Sequence, residues 1–437
     1  MIRNALALYA TFLRRPDVAQ LLAMALLARM PLGTLGLAML FYVRDLTHSF
    51  AIAGGTVGTY LAASACTAPV LGRWIDRSGP RRPLLITGIV APAALFMFGA
   101  APALALPEAW LFVFAAVAGA FAPPITVLTR TVWRYRFDDE RDRRIAFALD
   151  TVLVELSFTL GPALTAVLLA VSSPLIAFGV AWCFTAAAAP LFLISPAQKY
   201  WRNDPVTQRH LLGPLTEPRL LVVLAATFML TFTFGLLEVG YPGFAVAAGT
   251  PALGGVLIAV NSFGSAVGGI AYGGVHLRTP VERQLPPFLA LMALPLAAHA
   301  VTTSPWLLAA LALIAGLLIA PALTVVMLLV TAYAPSRYAA EAFTWSATFI
   351  VSGVGAGMAI GGQLVEDHGA FAAFALAAAS ILVAAGCSLA FKSRCRASLR
   401  RRDQRLELLV KVARTRSRSS VLTTLPAWFF GSSEKNT

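Results

Sequence analysis

GRWIDRSGPRRP, residues 72–83, sets four arginines (Arg73, Arg77, Arg81, Arg82) around a single acid, Asp76, and two glycines. An apolar run ends just before it, at 52–71, and another begins just after it, at 84–105. About 20 apolar residues suffice to cross a bilayer as a helix, and each run is that long. The segment therefore reads as a short basic turn at a membrane surface, joining two crossings. Gly79 permits a tight turn, and Gly72 is expected to let the end of the preceding helix lie close against a neighbour. Asp76 can accept bonds from arginines or from a helix N-terminus.

Working outward, the same reading places crossings at 20–42, 52–71, 84–105, 109–129, 146–171 and 175–195, then at 220–241, 251–273, 285–301, 305–330, 341–363 and 370–391. The expected organisation is an N-terminal interfacial helix (1–19), six helices (20–195), a linker (196–219), six helices (220–391) and a basic tail (392–437). The chain is 58% hydrophobic and 12% charged, about half the charge of a typical soluble domain, so its outer surface must face lipid. With the N-terminus cytoplasmic, all of the 34 lysines and arginines except Arg29 and Arg44 fall on the cytoplasmic side, as the positive-inside rule requires. The net charge of +14 thus reports topology and argues against nucleic acid. The tail is expected to lie on anionic lipid headgroups. Neither the four cysteines nor any other cluster has the spacing of a metal site.

The segment 72–83 resembles the cytoplasmic signature of the major facilitator superfamily, roughly G-x-x-x-D-R-x-G-R-[RK], at the place where that family carries it. Gly72, Asp76, Arg77, Gly79 and Arg82 fall on the pattern, while Pro80 departs from it with Arg81 adjacent. The resemblance implies an all-α membrane protein of twelve helices in two pseudo-symmetric six-helix halves. It also implies a small-molecule solute moved through a path lined by helices 1, 4, 7 and 10. In the family the loop acid engages the N-terminal end of helix 11, which places Asp76 opposite Ala340–Glu341. The second-half counterpart, GGVHLRTPVERQ (273–284), lacks the acid.

Span 5 contains ELSFTLGPALTA (155–166), partly similar to the glycine-rich helix 5 signature of proton-driven exporters; Gly161 and Pro162 match. Arg29 lies about nine residues into span 1, roughly 14 Å deep at 1.5 Å per residue, and Glu155 has the same depth in span 5. An arginine at mid-membrane needs a partner, and Glu155 is the first choice. Asp150 is second, about 7 Å shallower and rotated some 140° away. Gly33 and Gly36 share a face with Arg29, which is either a packed seam or a cavity wall. Glu238, towards the outer end of span 7, is a candidate proton or cation site, and His299 ends span 9. Asn261, Tyr241, Tyr272 and Trp345 are polar or aromatic candidates for the pathway. No nucleotide-binding loop is present, so no enzymatic activity and no cofactor are expected. The expectation is a monomeric, multi-pass protein of the cytoplasmic membrane that exports an apolar or amphipathic compound in exchange for protons. An importer of the same fold, or a scaffold acting through its basic tail, are the alternatives.

Overall fold

A computed structural model describes residues 15–200, 213–274, 279–334 and 339–389. A few side chains within these ranges, those of Asp76 and Glu155 among them, lie outside the description. So do the expected interfacial helix through residue 14, half of the linker (201–212), Arg278 and the basic tail.

The described chain is helical throughout. The helices are α1 (Pro16–Thr47), α2 (Phe50–Ser78), α3 (Arg81–Ala100), α4 (Ala109–Ala120), α5 (Ile125–Arg136), α6 (Glu140–Val171) and α7 (Pro174–Ile194). After two short 3-10 turns come α8 (Pro218–Ala247), α9 (Ala252–Gly274), α10 (Leu285–His299), α11 (Pro305–Tyr333), α12 (Ala339–His368) and α13 (Ala370–Leu389). Among the described residues, ten helical stretches are long and apolar enough to cross a membrane, with α4 and α5 together forming one of them. Helices α2 and the 15-residue α10 lie where the other two crossings are expected, so the described helices are compatible with twelve crossings.

Helix starts follow local chemistry. Ser49, Asp139, Ser173 and Ser304 each accept a hydrogen bond from the backbone N–H three residues on, which satisfies an orphan donor of the first turn. Prolines open α1, α7, α8 and α11, where a missing N–H costs nothing. Most helices outrun the apolar runs that announce them. Hydropathy marks the part of a helix in lipid, whereas the backbone ladder continues into the polar flank. The exception is the fourth crossing, expected as one helix over 109–129. Pro123 and Pro124 cannot donate to the ladder, so the chain breaks between Ala120 and Ile125 and resumes as far as Arg136.

Call the face where α1 begins the near face and the face where it ends the far face. Within the first half α1 packs on α2, α6 and α7; in the second α12 packs on α8, and α9 on α11. The two halves meet along two seams, α2 with α12 and α6 with α9. Both seams are glycine-built. A Cβ on Gly54 or Gly58 would overlap the backbone of Met358 or Gly355, and one on Gly255 would overlap Pro162 and Ala166. Small residues allow this approach, which in lipid replaces hydrophobic driving force with close packing. All these contacts lie in the far-face part of their helices. Outward, Val70, Ile89, Ile270 and Leu294 stay 65–75% exposed, as a lipid-facing surface requires.

Gly72 departs from expectation: α2 runs on to Ser78, and an added Cβ at Gly72 would meet nothing within 4 Å. Gly79 does make the turn, with φ of 75° and its N–H bonded to Ile75 O.

Candidate functional site: the cavity between the halves

Where the seams part, a cavity of about 500 Å³ opens midway along the helices, between the two halves. It is walled by α1, α2, the α4–α5 break, α6 and α7 on one side and by α8 to α12 on the other. The helix break has a local purpose here, since the Ala122–Val127 segment forms part of the wall. Most of the lining is apolar, with Leu35, Leu61, Phe158, Phe234, Leu296 and Met358 prominent.

Among the described residues, two charged side chains reach the lining, one from each half: Arg29 and Glu238. They are treated very differently. Arg29 is 1% exposed and its guanidinium is spent on neighbours. Nη2 donates to Asp150 Oδ1 at 2.6 Å and to the Thr129 hydroxyl, and Nη1 donates to the backbone carbonyl of Asp150 at 3.4 Å. Asp150 Oδ1 also accepts from Trp133 Nε1 at 3.1 Å, and Oδ2 from Arg130 Nε at 3.2 Å. One buried carboxylate thus binds α1, α5 and α6 together. Two guanidiniums share it.

The partner of Arg29 is therefore Asp150, which the sequence ranks second, and the side chain of Glu155 is not among those described. Counted from the observed starts of their helices, Pro16 and Glu140, Arg29 lies between Asp150 and Glu155 in depth. An arginine side chain also spans more than a helical turn, so equal depth of Cα atoms is a poor criterion.

Glu238 is the opposite case. Among the described residues its carboxylate has no hydrogen bond and no ion pair, and it stands in the cavity wall beside Phe234 and Leu237 of α8. A charge in an apolar site without a partner is costly, so the group invites a proton or a cation. One turn further along α8, Tyr241 is closed to solvent and its hydroxyl lies 3.1 Å from His299 Nε2. The other ring nitrogen, Nδ1, lies 2.5 Å from the carbonyl of Pro295. A carbonyl only accepts, so Nδ1 carries the proton and Nε2 accepts from Tyr241.

The remaining sequence candidates are placed as follows. Gly33 packs against Ser157 and Gly161 with no room for a Cβ, while Gly36 lines the cavity. Their shared face is therefore a seam at one glycine and a wall at the other. Gly161 meets α1 and Pro162 meets α9. Asn261 donates to Ala312 O at 2.9 Å and Tyr272 to Gln284 Oε1 at 2.5 Å. Tyr241, Asn261, Tyr272 and Trp345 are all absent from the cavity lining. On the near face, Asp17 accepts from Arg136 at 2.7 Å and from Tyr200 at 3.1 Å, and Arg15 pairs with Asp142 at 2.7 Å. The Asp76 side chain and those of Ala340 and Glu341, its expected contact, lie outside the description. Tyr60 and the Pro123–Pro124 break are wall elements that the sequence reading missed; the tandem proline was the visible signal.

Two helical halves that meet at one face and enclose a cavity midway along the helices define a transporter fold. The Major Facilitator Superfamily profile matches residues 21–300, and the chain belongs to that family. Among solved structures, it is similar to a mutant of the nucleoside transporter NupG at 15% identity, with a TM-score of 0.69 over 85% of this chain and 99% of that one. It is also similar to a bacterial homologue of the human lysosomal transporter Spinster, solved in an inward-facing, unoccupied conformation. That match has 16% identity and a TM-score of 0.59, over 86% of this chain and 95% of the other. At these identities the likeness is one of fold. A comparison with curated proteins by sequence finds no match.

Proposed function

We propose that this protein is a secondary active transporter that carries a small amphipathic compound across the cytoplasmic membrane by alternating access, exporting it in exchange for protons. The observation that carries this reading is the unpartnered Glu238 carboxylate in the wall of an apolar cavity between the two halves. A nucleoside-like solute would need many hydrogen-bonding groups. Here the hydroxyls of Thr185, Thr231 and Thr233 bond backbone carbonyls of their own helices, and those of Tyr60, Ser64, Thr126, Ser262 and Ser265 also line the wall. The mostly apolar lining around Glu238 supports an apolar body with a positive centre and a few polar groups.

The physical chemistry of Glu238 supplies the coupling. Rocking the halves past a closed intermediate would seal a bare carboxylate in an apolar chamber, at a cost of several kcal/mol. That intermediate is accessible when the carboxylate is neutralised, either by a proton or by a cationic solute. The two occupants exclude one another, so a proton entering on one face is exchanged for solute leaving on the other. With the positive-inside orientation the near face is cytoplasmic and the arrangement described here is inward-facing. Asp76 and its arginines would then brace the cytoplasmic face when the halves close there. The Arg29–Asp150 cluster holds the first half rigid against that movement.

The test uses Glu238→Gln, which keeps size and removes the charge. Purified protein should bind the lipophilic cation tetraphenylphosphonium, and the variant should lose at least about tenfold in affinity. Equal affinity in the two proteins would refute the assignment.

A further inference from the structure

The far face is closed by more than close packing. Glu366, two residues before the end of α12, lays its carboxylate on the first turn of α2. Its Oε2 accepts from the hydroxyl of Ser49 and from the backbone N–H of Ala51 at 2.8 Å. Ser49 is the N-cap of α2, and its Oγ accepts from Ile52 N at 3.1 Å. The hydroxyl therefore receives one bond from its own helix and donates its proton to the other half of the molecule. A carboxylate at a helix N-terminus is favoured by the helix dipole, and bonds to an ionised acceptor are stronger than neutral ones.

The position of this contact gives it meaning. Gly54 and Gly58 of α2 meet Met358, Gly362, Gly355 and Ala359 of α12 by shape alone. Glu366 adds directed, charged bonds at the far end of that seam, where the halves must separate if the cavity is to open outward. At the near end Asp76 stands near the C-terminal end of α2, on the side where α12 begins. Each helix thus carries an acid near its C-terminus, and at the far end the N-terminus of α2 receives the acid of α12.

We propose that Glu366 is the latch of the far face. Its bonds to Ser49 and Ala51 hold the cavity closed on that side and must break each time it opens there, so this one carboxylate sets the ratio of the two access states. The proposal rests on alternating access but not on the identity of the solute.

The experiment uses the full chain in lipid nanodiscs, with Cys66, Cys183, Cys387 and Cys395 replaced by serine. Spin labels are placed at Leu46→Cys and Val301→Cys, exposed far-face positions in the first and second halves. Distances between them are measured by pulsed electron resonance. Glu366→Gln and Ser49→Ala should each raise the ratio of long to short separations by roughly three- to tenfold, consistent with loss of a charge-assisted bond. Ser49→Thr, which keeps the hydroxyl, should restore the parent distribution. Asp367→Asn, at the exposed neighbour, should leave it unchanged. If neither Glu366→Gln nor Ser49→Ala alters the distribution while acidification or tetraphenylphosphonium does, the latch is refuted and alternating access stands. If nothing alters it, both are refuted.

Discussion

Arg29 and Asp150 are 121 residues apart in sequence and form an ion pair of 2.6 Å whose side chains are 0% and 1% exposed. Burying two charges is expensive, and their attraction repays the cost only when their remaining donors and acceptors are also used. Asp150 meets that condition through Trp133 and Arg130. Arg29 falls short by one atom, since Nε is closed to solvent and has no partner among the described residues. The pair therefore fixes geometry more than it adds stability.

Breaking it from one side should be severe. Asp150→Asn leaves a buried guanidinium uncompensated and should cost about 3–5 kcal/mol. The double change Arg29→Leu with Asp150→Leu should recover most of that loss. Thermal unfolding in detergent distinguishes the two. A single variant no less stable than the double would contradict the pairing.

The glycines of α1 give a contrast between near neighbours. A Cβ at Gly33 would collide with Ser157 O and the Gly161 backbone, whereas one at Gly36 would make an ordinary 3.8 Å contact with Val57. Gly33→Ala should lower stability by about 1–3 kcal/mol through overpacking. Gly36→Ala should be neutral or slightly stabilising, because alanine is the better helix former. Size-exclusion profiles and melting temperatures of the two variants check this.

Tyr241→Phe leaves His299 Nε2 buried without its donor. A loss of about 1–3 kcal/mol is expected, read as a lower melting temperature. Tetraphenylphosphonium binding should be little changed, since neither side chain lines the cavity.

Competition at Glu238 has a definite sign. A protonated carboxyl is neutral and a cation gains nothing from it, so tetraphenylphosphonium should bind more weakly as pH falls. Glu238→Gln has no proton to lose and should show weak binding that is independent of pH. Equilibrium titrations at several pH values measure both. Unchanged pH dependence in the variant would place the titrating group elsewhere.

The crossings were legible because lipid imposes a simple rule, a long apolar run, and because the arginines outside those runs mark one face. The segment 72–83 added the family. Packing was harder to read. Arg29 announced its need for a partner, but its pairing with Asp150 depends on how α1, α5 and α6 are turned towards one another around that carboxylate, and hydropathy carries no signal for that. The glycines of α2 and α12 were visible individually, whereas their mutual approach is a property of two helices 300 residues apart. Glu366 escaped notice for a related reason: next to Asp367 at a helix end, it looks like an ordinary solvated acid until α2 is placed beside it.

The central claim, that the cavity is reached from one face and then the other, is tested most directly at Phe234, which lines it. A single cysteine at that position, in vesicles of known orientation, is titrated with a membrane-impermeant maleimide from each side. The account predicts reaction from both faces, faster from the near face at rest, with the two rates moving in opposite directions when pH is changed or tetraphenylphosphonium is added. Reaction from one face alone under every condition, or rates that rise and fall together, would contradict it.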